Sequence, residues 1–174
     1  MATFTANSIQ LGTGAQFVGT TNGLSDAPVG TIIQTAINGT TNNITANSDG
    51  SYSDLLSLSF TPRQSNSKII FSIMFNAYYH NGSSGTSQGA SYRLLRDSTS
   101  IKEGDWCFYL HHQQYARDYY PTVSTFGFDE PGVTSAITYK VQFQRTTGDS
   151  TLYMQYDSGS NESISSLTLM EIAG

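Results

Sequence analysis

The 174-residue chain carries only 12% charged side chains, 13 Asp and Glu against 8 Lys and Arg for a net charge of −5, while Gly numbers 16, Tyr 11 and Phe 9. The basic residues stand singly, so there is no clustered footprint to neutralise phosphates, and a nucleic-acid partner is excluded. No apolar run reaches the roughly 18 residues of a membrane span, and no basic-then-apolar leader opens the chain; we expect no membrane insertion, no signal peptide, and folding in a cytosol.

Residues 1–28 differ in composition from the rest of the chain. Phe4, Ile9, Leu11, Phe17 and Val18 are isolated among small polar residues, and Asp26 is the only charged side chain. Such a segment builds no core alone, so we expect an extended arm whose apolar residues are buried on another surface, with Pro28 as its boundary. Residues 29–174 then read as one domain.

Strand signals begin at Val29. Residues 29–37 form a first strand, a turn-rich stretch holds a short strand around Ile44, and Leu56, Leu58 and Phe60 alternate with serines before Pro62. Residues 68–79 are the strongest: Ile69, Phe71, Ile73 and Phe75 share one face, Ile70 and Met74 join Ser72 and Asn76 on the other, and a central strand is expected. Residues 80–89 have loop composition; strands follow at 91–97 and 106–115, with the polar residues 98–105 between them. Next come a strand at 122–128 and the turn Asp129-Glu130-Pro131-Gly132. In residues 134–146 Ile137, Tyr139, Val141 and Phe143 point inward, and strands at 151–156 and 167–172 complete the set. About eight to ten strands with hairpin or longer polar connections predict an all-β, jelly-roll-like two-sheet β-sandwich. Its edges carry few charges to protect them, so self-association is expected.

Chemistry is sparse. Cys107 lies in an apolar run and reads as a buried, inert thiol. His111 and His112 are adjacent and would point to opposite faces of a strand, and His80 opens a Gly/Ser loop, so no metal site is expected. The sequence leaves open whether Asp97, Glu103, Asp105, Asp129 and Glu130 pair in space, and nothing favours it. No nucleophile elbow, phosphate loop or dinucleotide fingerprint occurs; the protein is expected to be no enzyme and to need no cofactor. Tyr115, Arg117, Tyr119 and Tyr120 have the composition of a recognition surface for protein or carbohydrate, or of rings packed over the open end of the sandwich.

Phe60-Thr61-Pro62, Ser65-Asn66-Ser67-Lys68-Ile69-Ile70, Tyr92-Arg93-Leu94-Leu95-Arg96-Asp97, Asp129-Glu130-Pro131 with Thr138-Tyr139-Lys140-Val141-Gln142, and Ser165-Ser166-Leu167-Thr168-Leu169-Met170-Glu171-Ile172 occur in that order. This set resembles a β-sandwich domain of virion structural proteins of tailed phages, notably those of aquatic bacteria and cyanobacteria, and covers roughly residues 29–173. The resemblance implies a homotrimeric particle component, located in the virion. One form is a capsid decoration or cement protein partnered with the major capsid protein, in which the arm residues Phe4, Ile9, Leu11, Phe17 and Val18 would meet the shell. The other is the receptor-binding tip of a tail or head fibre, with other fibre or tail proteins and a host receptor as partners. The short arm, without heptads or repeats, suits the first form. The tyrosine cluster pulls toward the second.

Overall fold

A computed structural model describes residues 27–46, 50–81, 87–111, 117–147, 151–155 and 164–174. They form twelve strands: β1 (Ile32–Thr40), β2 (Ile44–Thr45), β3 (Ser53–Phe60), β4 (Lys68–Asn76), β5 (Tyr78–Asn81), β6 (Ser87–Arg96), β7 (Thr99–His111), β8 (Arg117–Tyr119), β9 (Thr122–Asp129), β10 (Ile137–Thr147), β11 (Leu152–Gln155) and β12 (Ser165–Ile172). The described residues contain no helix, and hence none long and apolar enough to cross a membrane.

The strands make three four-stranded antiparallel sheets, ordered β1-β12-β4-β9, β3-β10-β6-β7 and β2-β11-β5-β8. Along the chain, the strands of the first two sheets alternate between them except at the β6–β7 hairpin, so each sheet is assembled from both halves of the sequence. That connectivity is the jelly roll. The third sheet prolongs the first past short breaks: β4 and β5 are separated only by Ala77, and β8 and β9 by Tyr120 and Pro121. Pro121 has no N–H to give a ladder, but its carbonyl accepts from the Ala77 N–H at 2.8 Å and holds the two breaks together.

Period-2 patterning fills the space between the sheets. Ile69, Phe71, Ile73 and Phe75 of β4 are at most 1% exposed, as are Tyr139, Val141 and Phe143 of β10. Burial of each such side chain contributes about 1.5–3 kcal/mol. As expected, β4 is central, flanked by β12 and β9. The first strand starts three residues later than expected, at Ile32, because Pro28 to Thr31 form a turn: the Thr31 N–H donates to the Pro28 carbonyl at 3.0 Å and Gly30 has φ 88°. Leu55 is buried beside Leu56, which breaks the expected alternation; the β3–β10 register shifts between Val141 and Gln142, opposite this point.

The largest correction concerns residues 98–105, expected as a connection. Residues 99–105 belong to β7, and only Asp97 and Ser98 join it to β6, with Arg96 opposite Thr99. Asp97 takes φ 52°, a conformation that Asp tolerates in tight turns, and its backbone N–H and Oδ1 both bond to Thr138 of β10. The stretch reads as loop because β7 is an edge strand and its Thr99, Ser100, Lys102 and Glu103 face water. The residue 80–89 loop is also shorter than expected, since β5 runs to Asn81 and β6 starts at Ser87.

One buried polar contact ties the two main sheets. Arg96 Nη1 of β6 donates to both oxygens of Asp129 on β9, at 2.8 and 3.0 Å, and the Tyr139 hydroxyl of β10 donates to Asp129 Oδ2 at 2.7 Å. Burial, and then the adjacent carboxylate, push the Tyr139 hydroxyl well above its ordinary pKa of 10.0. Removing one partner of a buried charged pair strands the other, so Asp129→Ala should cost about 3 kcal/mol in urea denaturation. A raised pKa stabilises the fold below the ordinary value and loses that contribution as pH rises. Between pH of about 10 and 11.5, wild-type stability should therefore fall about 1.4 kcal/mol per unit more steeply than that of Tyr139→Phe. Equal slopes would contradict the assignment.

Candidate interaction surface

Antiparallel register arranges the outward side chains of the first sheet in rows. Thr35, Met170, Ile70 and Phe128 form one row across β1, β12, β4 and β9, and Ile37, Thr168, Ser72 and Phe126 form the next. Ile32 lies opposite Ile172 beside the first row, and Met74 opposite Ser166 and Ser124 beyond the second. Several of these apolar groups stand in the open: Phe126 is 81% exposed, Ile37 69%, Phe128 62% and Ile32 54%. The four strands contain three charged residues, of which Asp129 and Glu171 are buried on the inner side. Lys68 is the one charge on the outer face; it sits at the end of β4, 3.1 Å from Glu130 and 5.2 Å from the Phe128 ring centroid.

The outer face of the second sheet has the opposite character. Lys140 Nζ lies 3.1 Å from Asp54 Oδ2, Gln142 Nε2 donates to Asp54 Oδ1 at 2.5 Å, and Arg93 Nε donates to Gln142 Oε1 at 2.8 Å. The Arg93 guanidinium stacks 3.9 Å from the Tyr52 ring centroid, and Glu103 lies opposite Arg93 in the strand register. The Gln142 hydrogen bond, followed by Lys140, holds the Asp54 carboxyl below its ordinary pKa. One face is thus a hydrated ionic lattice and the other an apolar plane, the contrast that marks an interaction face.

Tyr119 and Tyr120 of the tyrosine cluster have different surroundings. Tyr119 is half-buried and packs against the core, whereas the next residue, Tyr120, is 65% exposed. Tyr120 stacks on Tyr78 at 4.9 Å between centroids, and Tyr78 stacks on Tyr153 at 5.9 Å. Arg117 opens β8, its backbone opposite Asn81, and Tyr115 lies outside the described residues. Phe4, Ile9, Leu11, Phe17 and Val18 lie outside them as well. Tyr78 and Tyr153 were not singled out by sequence because they come from distant strands. The apolar face had a visible signal, Phe126 and Phe128 in phase on a short strand, which reads as ordinary alternation until the register shows which side is outside. Among the described residues no three His, Cys, Asp or Glu cluster as metal ligands. Cys107 is half-buried rather than buried, its Sγ donating to the Ala90 carbonyl at 3.1 Å.

No protein-family model matches this chain, and no curated protein does. Among solved structures it is similar to that of the infectious bursal disease virus Gt strain, at a TM-score of 0.43 and 11% identity over 82% of this chain and 39% of that one. It is also similar to the infectious bursal disease virus VP2 subviral particle, at a TM-score of 0.37 and 13% identity, over 82% and 34%. The chain spans well under half the length of these structures.

Tyr78 stands in the middle of this stack, with Tyr120 on one side and Tyr153 on the other. Since each stacked pair is worth about 0.5–1.5 kcal/mol beyond area burial, Tyr78→Ala should cost about 2 kcal/mol and Tyr120→Ala about 1 in equilibrium unfolding. The reverse order would mean that the stack does not organise this corner.

Proposed function

We propose that this protein is a non-enzymatic structural component of a virus particle, a decoration or cement protein carried as a homotrimer on the major capsid protein of the shell. The observation that carries the reading is the apolar outer face of β1-β12-β4-β9, which holds one charge while the opposite face holds an ionic lattice. A water-facing domain has no use for a plane of exposed Phe and Ile; a building block does. The jelly-roll connectivity supports it, since capsid domains share that architecture, although lectin domains do too, and a fold by itself does not name an activity. The resemblance of the Phe60-Thr61-Pro62 to Glu171-Ile172 motif series to tailed-phage virion proteins points the same way. Closed three-fold symmetry would also bury sheet edges poor in charge.

A second reading, the receptor-binding tip of a fibre, is favoured by the Tyr120, Tyr78 and Tyr153 stack, whose exposed outer ring could receive a sugar face or a protein side chain. Quantifying the protein in purified particles separates the two. Many copies per particle, and rebinding to particles stripped of it, are expected for the shell component. A few copies per particle, together with host-cell binding that Tyr120→Ala abolishes, would replace that reading with the fibre tip. Absence from particles would remove both.

A further inference from the structure

The apolar face has a counterpart in the same chain. Residues 1–25 contain no Asp, Glu, Lys, Arg or His, and set Phe4, Ile9, Leu11, Phe17 and Val18 among Thr, Ser, Asn, Gln and Gly. The outer face of the first sheet is composed alike, with Ile, Met and Phe between Ser and Thr. Joining two such surfaces away from Lys68 strips water from no ion, whereas laying the segment over the Asp54, Lys140 and Arg93 lattice would bury charges against hydroxyls and methyls. Relief fits as well. Ser72 and Thr168 make a shallow floor between the exposed Ile37 and Phe126. Ile9 and Leu11 have the i, i+2 spacing that sets two side chains on one side of an extended segment, able to enter such a floor together.

The point of attachment and the length agree with this partner. The chain enters the sandwich at the edge strand β1 through the Pro28–Gly30 turn, where Val29 is 80% exposed and Ile32 54%, so apolar exposure runs from the segment's root onto the face. Residues 1–26, extended, reach up to about 85 Å, and a compact chain of this size is about 40 Å across. The segment is long enough to reach a neighbouring molecule. Copies with a net charge of −5 repel one another, and they meet with least desolvation of charge at the face whose single charge is Lys68.

We propose that the N-terminal segment of one copy, through Phe4, Ile9, Leu11, Phe17 and Val18, lies on the β1-β12-β4-β9 face of a neighbouring copy and ties the assembly together. This deepens the assembly reading above and rests on it for the existence of neighbours. It also gives these five residues a seat on a second copy of the chain instead of on the shell. Each copy then gives one segment and receives one, a head-to-tail contact that closes into a ring, and several weak apolar contacts add through avidity.

The test uses the full chain in solution, without particles. The segment has no Lys or Arg before Pro28, so trypsin is blind to it, whereas chymotrypsin cuts after Phe4, Leu11 and Phe17. Two double variants, Phe126→Asp with Phe128→Asp on the face and Phe4→Ser with Leu11→Ser on the segment, are compared with wild type by light scattering, limited chymotrypsin digestion read by mass spectrometry, and thermal melting. The wild type should have three times the 18.9 kDa chain mass. Cleavage after Phe17, a site that all three proteins keep, should be at least about tenfold slower in wild type than in either variant. Both variants should be monomers that keep a cooperative melting transition; the segment variant changes no residue of the described sandwich, so it keeps the test valid even if the face variant misfolds. The proposal is overturned if wild type is cut after Phe17 as fast as the segment variant is, if that site is protected in a monomer, or if the segment variant stays trimeric. A trimer that survives Phe4→Ser with Leu11→Ser removes this inference and leaves the particle reading standing. A protein that exchanges segments yet is absent from particles does the reverse.

Discussion

Everything in the first sheet depends on β12 lying between β1 and β4. Its inner side places Leu167 and Leu169 in the core, and then, on the same side, a carboxylate: Glu171, 0% exposed. An ionised group there is tolerable only if its lone pairs are met by donors. They are met by Gln34 Nε2 at 2.5 Å, the Arg63 and Gln64 backbone N–H groups at 2.8 and 3.1 Å, and the Ser67 hydroxyl at 2.7 Å. Three of those donors lie in the connection that carries the chain from β3 in one sheet to β4 in the other, so the last strand fixes this early crossover. Gln34 also donates to the Thr61 carbonyl at 2.7 Å and draws β1 into the same knot. The sheet cannot form before both ends of the sequence have met, which places this chain among folds whose loop-closure entropy must be met before long-range pairing rewards it.

At one end of the sandwich the Asp129, Arg96 and Tyr139 contact bridges the sheets, and the Glu171 knot ties the crossover. Gly127 shows how closely the edge strand is drawn in: a Cβ there would lie 2.5 Å from the Phe71 ring, so β9 comes near enough only because it has no side chain at that point. Its neighbours Phe126 and Phe128 then have no inward space to occupy and are directed out. The apolar outer face is in this sense a consequence of the period of the strand and of a filled core behind it. The second sheet has the same period and spends its outward positions on Asp54, Lys140, Gln142 and Arg93. That difference is a property of the sequence and not of the fold.

Alternation made the inner walls readable in advance, because Ile69 to Phe75 and Ile137 to Phe143 repeat every second residue with β-branched and aromatic groups. The β6–β7 hairpin escaped because an edge strand facing water has the composition of a loop, and the only local signal, Asp97 in a left-handed turn, is one of many Asp-Ser pairs in polar sequence. The division of residues 68–79 into β4 and β5 could not be read either, since Ala77 breaks the ladder by bonding to Pro121, a partner far along the chain. The candidate surface was half visible. Ile70 and Met74 were seen on the second face of β4, but their joining with Phe126, Phe128 and Ile37 depends on strand order, which period alone does not contain. The tyrosines show the same dependence in reverse: neighbours in sequence, Tyr119 and Tyr120, part company in space, and distant ones stack.

Edges sharpen the meaning of the apolar face. A regular exposed edge strand is a template for pairing with other chains, and proteins blunt it with bulges, twist or charge. Here the register is interrupted along β1, along β3 against β10, and along β7 against β6. The pairing of β9 with β4 alone among the edge strands of the two main sheets runs without a shift, from Asp129 opposite Ile69 to Thr122 opposite Asn76. Within the strand it also lacks an outward charge; Lys68 and Glu130 stand only at its end. Among the described edges of the two main sheets, the one without such a guard is therefore the one that carries Phe126 and Phe128. A chain that blunts three edges and leaves the fourth flat and apolar is shaped for contact along that side, and the contact belongs at the β9 border of the face, where a ring 81% exposed gains most from being covered.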